Sequence, residues 1–210
     1  MIREYLWNSV QTIFGAPEFK RKLYRSVLCP PGKLLDFGCA SGHIVSAFLE
    51  FDYYGIDINP GLIEAAKARF KGHPNAHFIA ADIGSRPFEE DYFDEILFAS
   101  TAHHMADNVF CDVLKHLHFC LKPSGKIHLF DPVLQPKDGL QQKFMRHVLD
   151  RGKHSRTRQQ IVDLVAALDM FEIGDASLHP PYRLLILECD FLYLPLRKKR
   201  LGPALLTTAP

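Results

Sequence analysis

Apolar and polar positions alternate in blocks along the chain, and the blocks change period. Short apolar runs that end in an acidic or small polar residue read as buried strands: Lys33–Phe37, Tyr53–Asp57 and His77–Asp82. Between the first two, Ile44, Val45, Ala47, Phe48 and Leu49 recur at near-helical spacing and predict a helix. After Asp57, Pro60 suits the first turn of a helix that carries Leu62, Ile63, Ala66 and Phe70 on one face. Phe93–Ala99 predicts a fourth strand. Val109, Val113, Leu117 and Leu121, four apart, then mark an amphipathic helix. Lys122-Pro-Ser-Gly125 stops it, and Lys126–Asp131 supplies a fifth strand.

Strand and helix in alternation imply a parallel sheet covered on both faces. The pattern then changes. Residues 133–160 are polar and basic, and Gln159–Leu168 predicts a helix with Ile161, Leu164, Val165 and Leu168 inward. Two last runs, Phe171–Leu178 and Arg183–Tyr193, joined by His179-Pro-Pro-Tyr182, predict an antiparallel pair closing one edge of the sheet. The expected architecture is α/β and doubly wound: a mostly parallel, seven-stranded sheet with a C-terminal antiparallel strand pair and helices on both faces. Residues 1–210 suit a single domain, with an N-terminal helical segment over 1–28.

Composition adds exclusions. Hydrophobic residues make up 47% and charged residues 23%, which argues against wholesale disorder. Lys plus Arg number 25 against 24 for Asp plus Glu, so the net charge of +1 gives no global case for nucleic acid as a partner. Cys29, Cys39, Cys111, Cys120 and Cys189 are scattered and without paired spacing, and read as reduced thiols of a cytoplasmic protein. The N-terminal stretch lacks the apolar run of a signal peptide, and Leu184–Leu196, broken by Glu188 and Asp190, is too short and charged to span a bilayer. Nothing in the pattern specifies an oligomer.

Candidate chemistry begins in Leu34-Leu-Asp-Phe-Gly-Cys-Ala-Ser-Gly-His43. A strand ends at Asp36, Gly38 allows a sharp turn, and Gly42 removes a side chain where a ligand must approach the following helix. Amides at the start of that helix are expected to welcome an anionic group. Asp57 ends the second strand, where a carboxylate can accept from ribose hydroxyls, and Asp82 ends the third, where it can take an adenine amino proton. Strand C-termini in an open parallel sheet converge on one crevice. A nicotinamide dinucleotide fits less well, because its fold prefers G-x-G-x-x-G and here the spacing is Gly38-x-x-x-Gly42.

Taken in order, LLDFGCASG, GIDIN, AADI, FDEILFASTAHHM and LKPSGKIHLFDP resemble the glycine loop, ribose strand, adenine contact, fourth-strand motif and Lys-Pro-x-Gly turn of the class I, Rossmann-like S-adenosylmethionine-dependent methyltransferases, over roughly residues 30–195. Ala40 departs from the pattern where the family often has a third glycine. The resemblance implies S-adenosyl-L-methionine as cofactor. It places Gly38, Ser41 and Gly42 around the methionyl part and Asp36 behind the loop or the ammonium group. It puts Asp57 on the ribose hydroxyls, Ile58 against the adenine, Asp82 with the Ile83 backbone at its edge, and Ser100 on the cofactor's reactive side.

Methyl transfer needs the acceptor held close and water kept out, with a general base only for acceptors that are protonated and poorly nucleophilic. Ser100, Thr101, His103 and His104 follow the fourth strand, and His103 and His104 are the candidate bases; the alternative is that they pack or cap the next helix. No metal is expected: His116 and His118, two apart on one helix, point to opposite sides, and no CxxC or HxxxH pair occurs. Between Lys137 and Arg158 seven basic residues stand against Asp138 and Asp150, a local net charge of +5 that suits either an anionic small-molecule acceptor or a solvated helix face. The basic run Arg197–Arg200 reads as solvated. The function expected is methyl transfer to a small molecule. The alternatives are another S-adenosylmethionine-using enzyme and a non-catalytic binding protein on the same fold.

Overall fold

A computed structural model describes residues 16–136, 153–184 and 187–199. Its strands are β1 (Lys33–Phe37), β2 (Asp52–Asp57), β3 (Ala76–Ala80), β4 (Phe93–Ala99), β5 (Leu121–Pro132), β6 (Phe171–Ile173), β7 (Ser177–Leu184) and β8 (Leu187–Lys198). They form one sheet in the order β3-β2-β1-β4-β5-β8-β6, with β7 also on β8. The first five are parallel, and β8 runs antiparallel to β5. The mostly parallel, doubly wound sheet is therefore present, with one refinement. The expected last pair is a longer β8 flanked on its outer side by two short strands, β6 and β7. His179–Tyr182 is not a hairpin turn, because β7 runs through it with a register shift between His179 and Tyr182. Pro180 and Pro181 fit there because the register shift leaves those two positions without a partner on β8.

Alternation along the strands separates two cores. Leu35, Ile56, Ile96, Phe98, Ile127, Leu129, Leu192 and Leu194 share one face. Helices α3 (Asp107–Cys120) and α4 (Arg158–Ala167) cover that face with Phe110, Val113, Leu114, Leu117, Ile161 and Val165. The other face, with Leu34, Tyr53, Leu97 and Phe130, lies under α1 (Ala16–Arg25), α2 (Pro60–Arg69) and the β1–β2 connection. Each fully buried Leu, Ile or Phe side chain contributes about 1.5–3 kcal/mol. A one-residue slip of any central strand would exchange the two cores, which fixes the register.

Two helix expectations change. Residues 44–49 form no α-helix, only a 3-10 turn at Val45–Ala47. Val45, Phe48 and Phe51, three apart, are all fully buried, the spacing of a 3-10 rather than an α period. The glycine loop uses residues 38–42, leaving too short a stretch before β2 for the usual crossover helix. On α3 the buried stripe is Phe110, Val113, Leu114 and Leu117, while Val109 is 45% exposed. A strict four-residue step drifts around a helix of 3.6 residues per turn, so the outermost member leaves the covered face.

The remaining helices start where local chemistry satisfies their free amides. Asn59 caps α2 by accepting from Gly61 N and Leu62 N, with Pro60 in the first turn. Thr157 and Gln160 form a reciprocal capping box on α4. Among the described residues no helix is long and apolar enough to cross a membrane.

Candidate active site

The C-terminal ends of β1, β2, β3, β4 and β5 lie along one rim of the sheet, and the chain's winding direction reverses between β1 and β4. A crevice opens at such a reversal. On its β1 side Gly38 and Gly42 have φ of +79° and +74°. A Cβ on Gly38 would fall 2.6 Å from Thr101 Oγ1, so the loop after β1 meets the loop after β4 closely. Ala40, where a third glycine was missed in the sequence, also takes a left-handed φ of +48°, at a cost of about 1 kcal/mol. The loop holds that shape because Ala40 N donates to Asp57 Oδ2 at 3.1 Å, while Asn59 N donates to Asp57 Oδ1 at 2.9 Å. Asp57 thus ties the glycine loop to the start of α2 and retains lone pairs for further donors.

Beside Asp57, Ile58 is 77% exposed, the most exposed large hydrophobic side chain among the described residues. Asp82 is exposed at the end of β3 and accepts from Gly84 N at 2.7 Å, capping a 3-10 turn at Ile83–Ser85. The Ile83 side chain is buried in the core, so only its backbone faces outward chemistry. Carboxylate acceptors at the neighbouring ends of β2 and β3, with an uncovered apolar side chain beside the first, suit the hydroxyl and amine donors and the apolar ring face of an adenosine. The residues present fit the cofactor. The amides of a following helix do not contribute, because that helix is reduced to one 3-10 turn.

Asp36 is buried and accepts a hydrogen bond from Tyr53. Burial pushes its carboxyl up to about 7, the Tyr53 hydrogen bond opposing and the nearby Asp57 charge adding to the rise. Ser41 Oγ lies 3.0 Å from His43 Nε2, whose pKa is lowered by burial and then by Arg69 and Lys20. Ser100, at φ +55°, ends β4 with its hydroxyl 3.3 Å from Tyr24 on α1.

The loop after β4 separates the two histidines. His103 is 2% exposed, its Nδ1 2.8 Å from Asp131 Oδ1 at the end of β5. His104 is exposed, its ring centroid 4.1 Å from that of His103. Asp131 went unremarked as a site residue in the sequence, although it carries the same signal as Asp36, Asp57 and Asp82, an acid closing a strand. Arg156 was read as part of a basic surface and is instead buried. It donates to the carbonyls of Ala102 and Met105 at 3.0 and 2.6 Å and pairs with Asp107. Its guanidinium lies 5.0 Å from the Phe110 ring centroid. Lys153 and Arg158 are exposed, and the rest of the basic segment, with Arg146 and Arg151, lies outside the described residues. The histidines set aside as metal ligands sit apart: His118 packs against Phe171, and His77 Nε2 is 3.0 Å from Asp52 Oδ1.

A family model described as a methyltransferase domain matches residues 34–125, from β1 into the turn that opens β5. The chain is 23% identical over 197 residues to phosphoethanolamine N-methyltransferase of Plasmodium falciparum, covering 92% of this chain and 74% of that protein. It is 24% identical over 133 residues to a ubiquinone/menaquinone biosynthesis C-methyltransferase of Vibrio parahaemolyticus, covering 58% of this chain and 51% of that protein. In fold it resembles the 1,6-didemethyltoxoflavin-N1-methyltransferase of Burkholderia thailandensis, solved with its substrate and S-adenosylhomocysteine. The TM-score is 0.68 at 18% identity, covering 95% of this chain and 88% of that one. The chain spans only about half the length of several of the curated relatives it matches.

Proposed function

We propose that this chain, a member of the class I S-adenosylmethionine-dependent methyltransferases, methylates a small, anionic, phosphate-bearing molecule. The observation that carries the reading is the single rim on which Asp57, Ile58 and Asp82 stand at one end and the His103–Asp131 pair at the other. When bound, S-adenosylmethionine supplies a methyl group already activated on a sulfonium. The chain's own work is to bind, orient and manage protons.

In this reading Gly38, Ser41 and Gly42 surround the methionyl part, Asp57 takes the ribose hydroxyls, Ile58 covers one adenine face, and Asp82 with the Ile83 backbone reads its edge. Asp36, buried and bonded to Tyr53, supports the glycine loop from behind. Ser100 and Tyr24 close the reactive side. His104, exposed beside the crevice, accepts the acceptor's proton, and His103, held by Asp131, backs its ring. The anionic character of the acceptor rests on the basic residues of 137–158 other than the buried Arg156 and on the phosphate in the name of the Plasmodium relative. Residues 1–210 would form one domain, and the free Cys29, Cys39, Cys111 and Cys120 agree with a cytoplasmic setting.

The test is calorimetric titration with S-adenosylmethionine, on the wild type and on Asp57→Ala, followed by a screen of phosphorylated amines and alcohols for S-adenosylhomocysteine production. Saturable binding weakened at least tenfold by the substitution, about 1.4 kcal/mol, is expected. Neutralising Arg146 and Arg151 together is expected to raise the KM for the acceptor several-fold; an unchanged KM would remove the anionic acceptor. Cofactor binding without turnover of any acceptor would leave a binding protein on this fold.

A further inference from the structure

Arg156 has so far been given no role, yet it is a buried cation whose guanidinium contacts gather on the loop after β4 and the first turn of α3. Its NH1 and NH2 donate to the carbonyls of Ala102 and Met105, on either side of His103 and His104. Its Nε reaches Asp107 Oδ1 at 2.9 Å in the first turn of α3, and the guanidinium plane lies over Phe110 of the same helix. The residues around it repeat the attachment. His154 N donates to the carbonyl of His103 at 3.0 Å, and Leu134 N donates to the carbonyl of Arg156 at 2.8 Å. The two ends of the basic segment, Leu134 and Thr157, meet as a parallel bridge.

These contacts answer a structural need. The loop before α3 is only a 3-10 turn over Ala102–His104 with no side-chain cap from Thr101, so its carbonyls take donors from outside the loop. A planar fork with five donors can satisfy two carbonyls and a carboxylate together, which the ammonium of a lysine cannot do in one fixed geometry. We infer that Arg156 is a positioning residue: through the backbone of Ala102 and Met105 it fixes where the His103 and His104 rings stand at the rim. The inference rests on the reading of His104 as the proton acceptor, but the clamp itself has a readout independent of turnover.

The experiment compares the wild type with Arg156→Lys and Arg156→Met. NMR follows the imidazole resonances of His103 and His104 through a pH titration, and calorimetry follows S-adenosylmethionine affinity. Asp131 faces His103, and Asp107 and Arg156 flank the loop, so a change of charge at position 156 reaches both imidazoles. In Arg156→Met the loss of the cation leaves Asp107 uncompensated, and both imidazole midpoints are expected to move upward. Cofactor affinity is expected to stay within about twofold, and kcat on any acceptor found is expected to fall about 10²-fold with little change in KM. Arg156→Lys, which keeps the charge, is expected to restore the midpoints but not kcat. Should Arg156→Met fail to fold, Arg156→Lys alone decides through its kcat. Unmoved imidazole resonances in a less stable but folded Arg156→Met would reduce Arg156 to an ordinary anchor and overturn the inference. A parallel loss of cofactor affinity would also overturn it. Failure to find any acceptor would count against the proposed function and leave the NMR result standing.

Discussion

The two ends of the rim are built in different ways. At the nucleotide end, each group follows directly from a strand: Gly38 after β1, Asp57 and Ile58 after β2, Asp82 after β3, and the hydrogen bond that shapes the glycine loop, Ala40 N to Asp57, spans 17 residues. At the reacting end, His103 depends on Asp131 from the neighbouring strand, 28 residues away, and its loop depends on Arg156, 54 residues from the Ala102 carbonyl it holds. The first end is specified by local sequence and the second by tertiary contact. The nucleotide end should therefore tolerate damage to distant parts of the chain, and the reacting end should not.

The sharpest way to break this contrast is at His104. His104→Ala is expected to lower kcat by 10²–10⁴ with cofactor affinity unchanged, as single-turnover assays and calorimetry would report. A parallel loss of cofactor binding would mean that the two ends are one unit. Asp36 offers the next largest effect. Its carboxyl, raised to about 7, binds a proton in the folded state that the unfolded chain releases near its ordinary value. That contribution to stability is full at low pH and lost as pH rises through about 7, a change on the order of 4 kcal/mol. Denaturant unfolding of wild type and Asp36→Asn at several pH values should show the variant gaining relative stability as pH climbs from 5 to 8. A constant difference would place the buried charge elsewhere. The smallest effect belongs to Ala40→Gly. Relief of the left-handed alanine and the added freedom of the unfolded chain nearly cancel, leaving stability within about 0.5 kcal/mol and cofactor affinity unchanged. A clear loss on calorimetry would show that the alanine methyl itself touches a ligand.

The same division explains what was legible beforehand. The parallel strands, the helix that Pro60 opens, and Asp57 at the end of β2 with Asp82 just past β3 follow from short-range pattern, and the structure has them there or within two residues. The crossover after β1 was misread because its apolar residues satisfy a helical and a 3-10 period almost equally over so few positions. The stripe on α3 was misplaced by one residue for a related reason: Phe110, not Val109, faces the sheet. Arg156 was unreadable, because a basic residue in a basic segment gives no sign of being buried until Ala102, Met105 and Asp107 come to surround it. The His103–Asp131 pair was half readable. Each residue sat in a motif, but their contact crosses from β4 to β5.

β8 has a consequence for the order in which the sheet is completed. It pairs with β5 on one side and with β6 and β7 on the other, so Ile127 waits for Leu196 before the outer edge of β5 is covered. While the chain is being synthesised, the five parallel strands can assemble first, presenting Phe130, Leu129 and Ile127 along an unpaired border. For that interval the nascent protein carries a sticky seam, and translation speed or chaperone occupancy between residues 132 and 196 would govern how much of it reaches the finished fold.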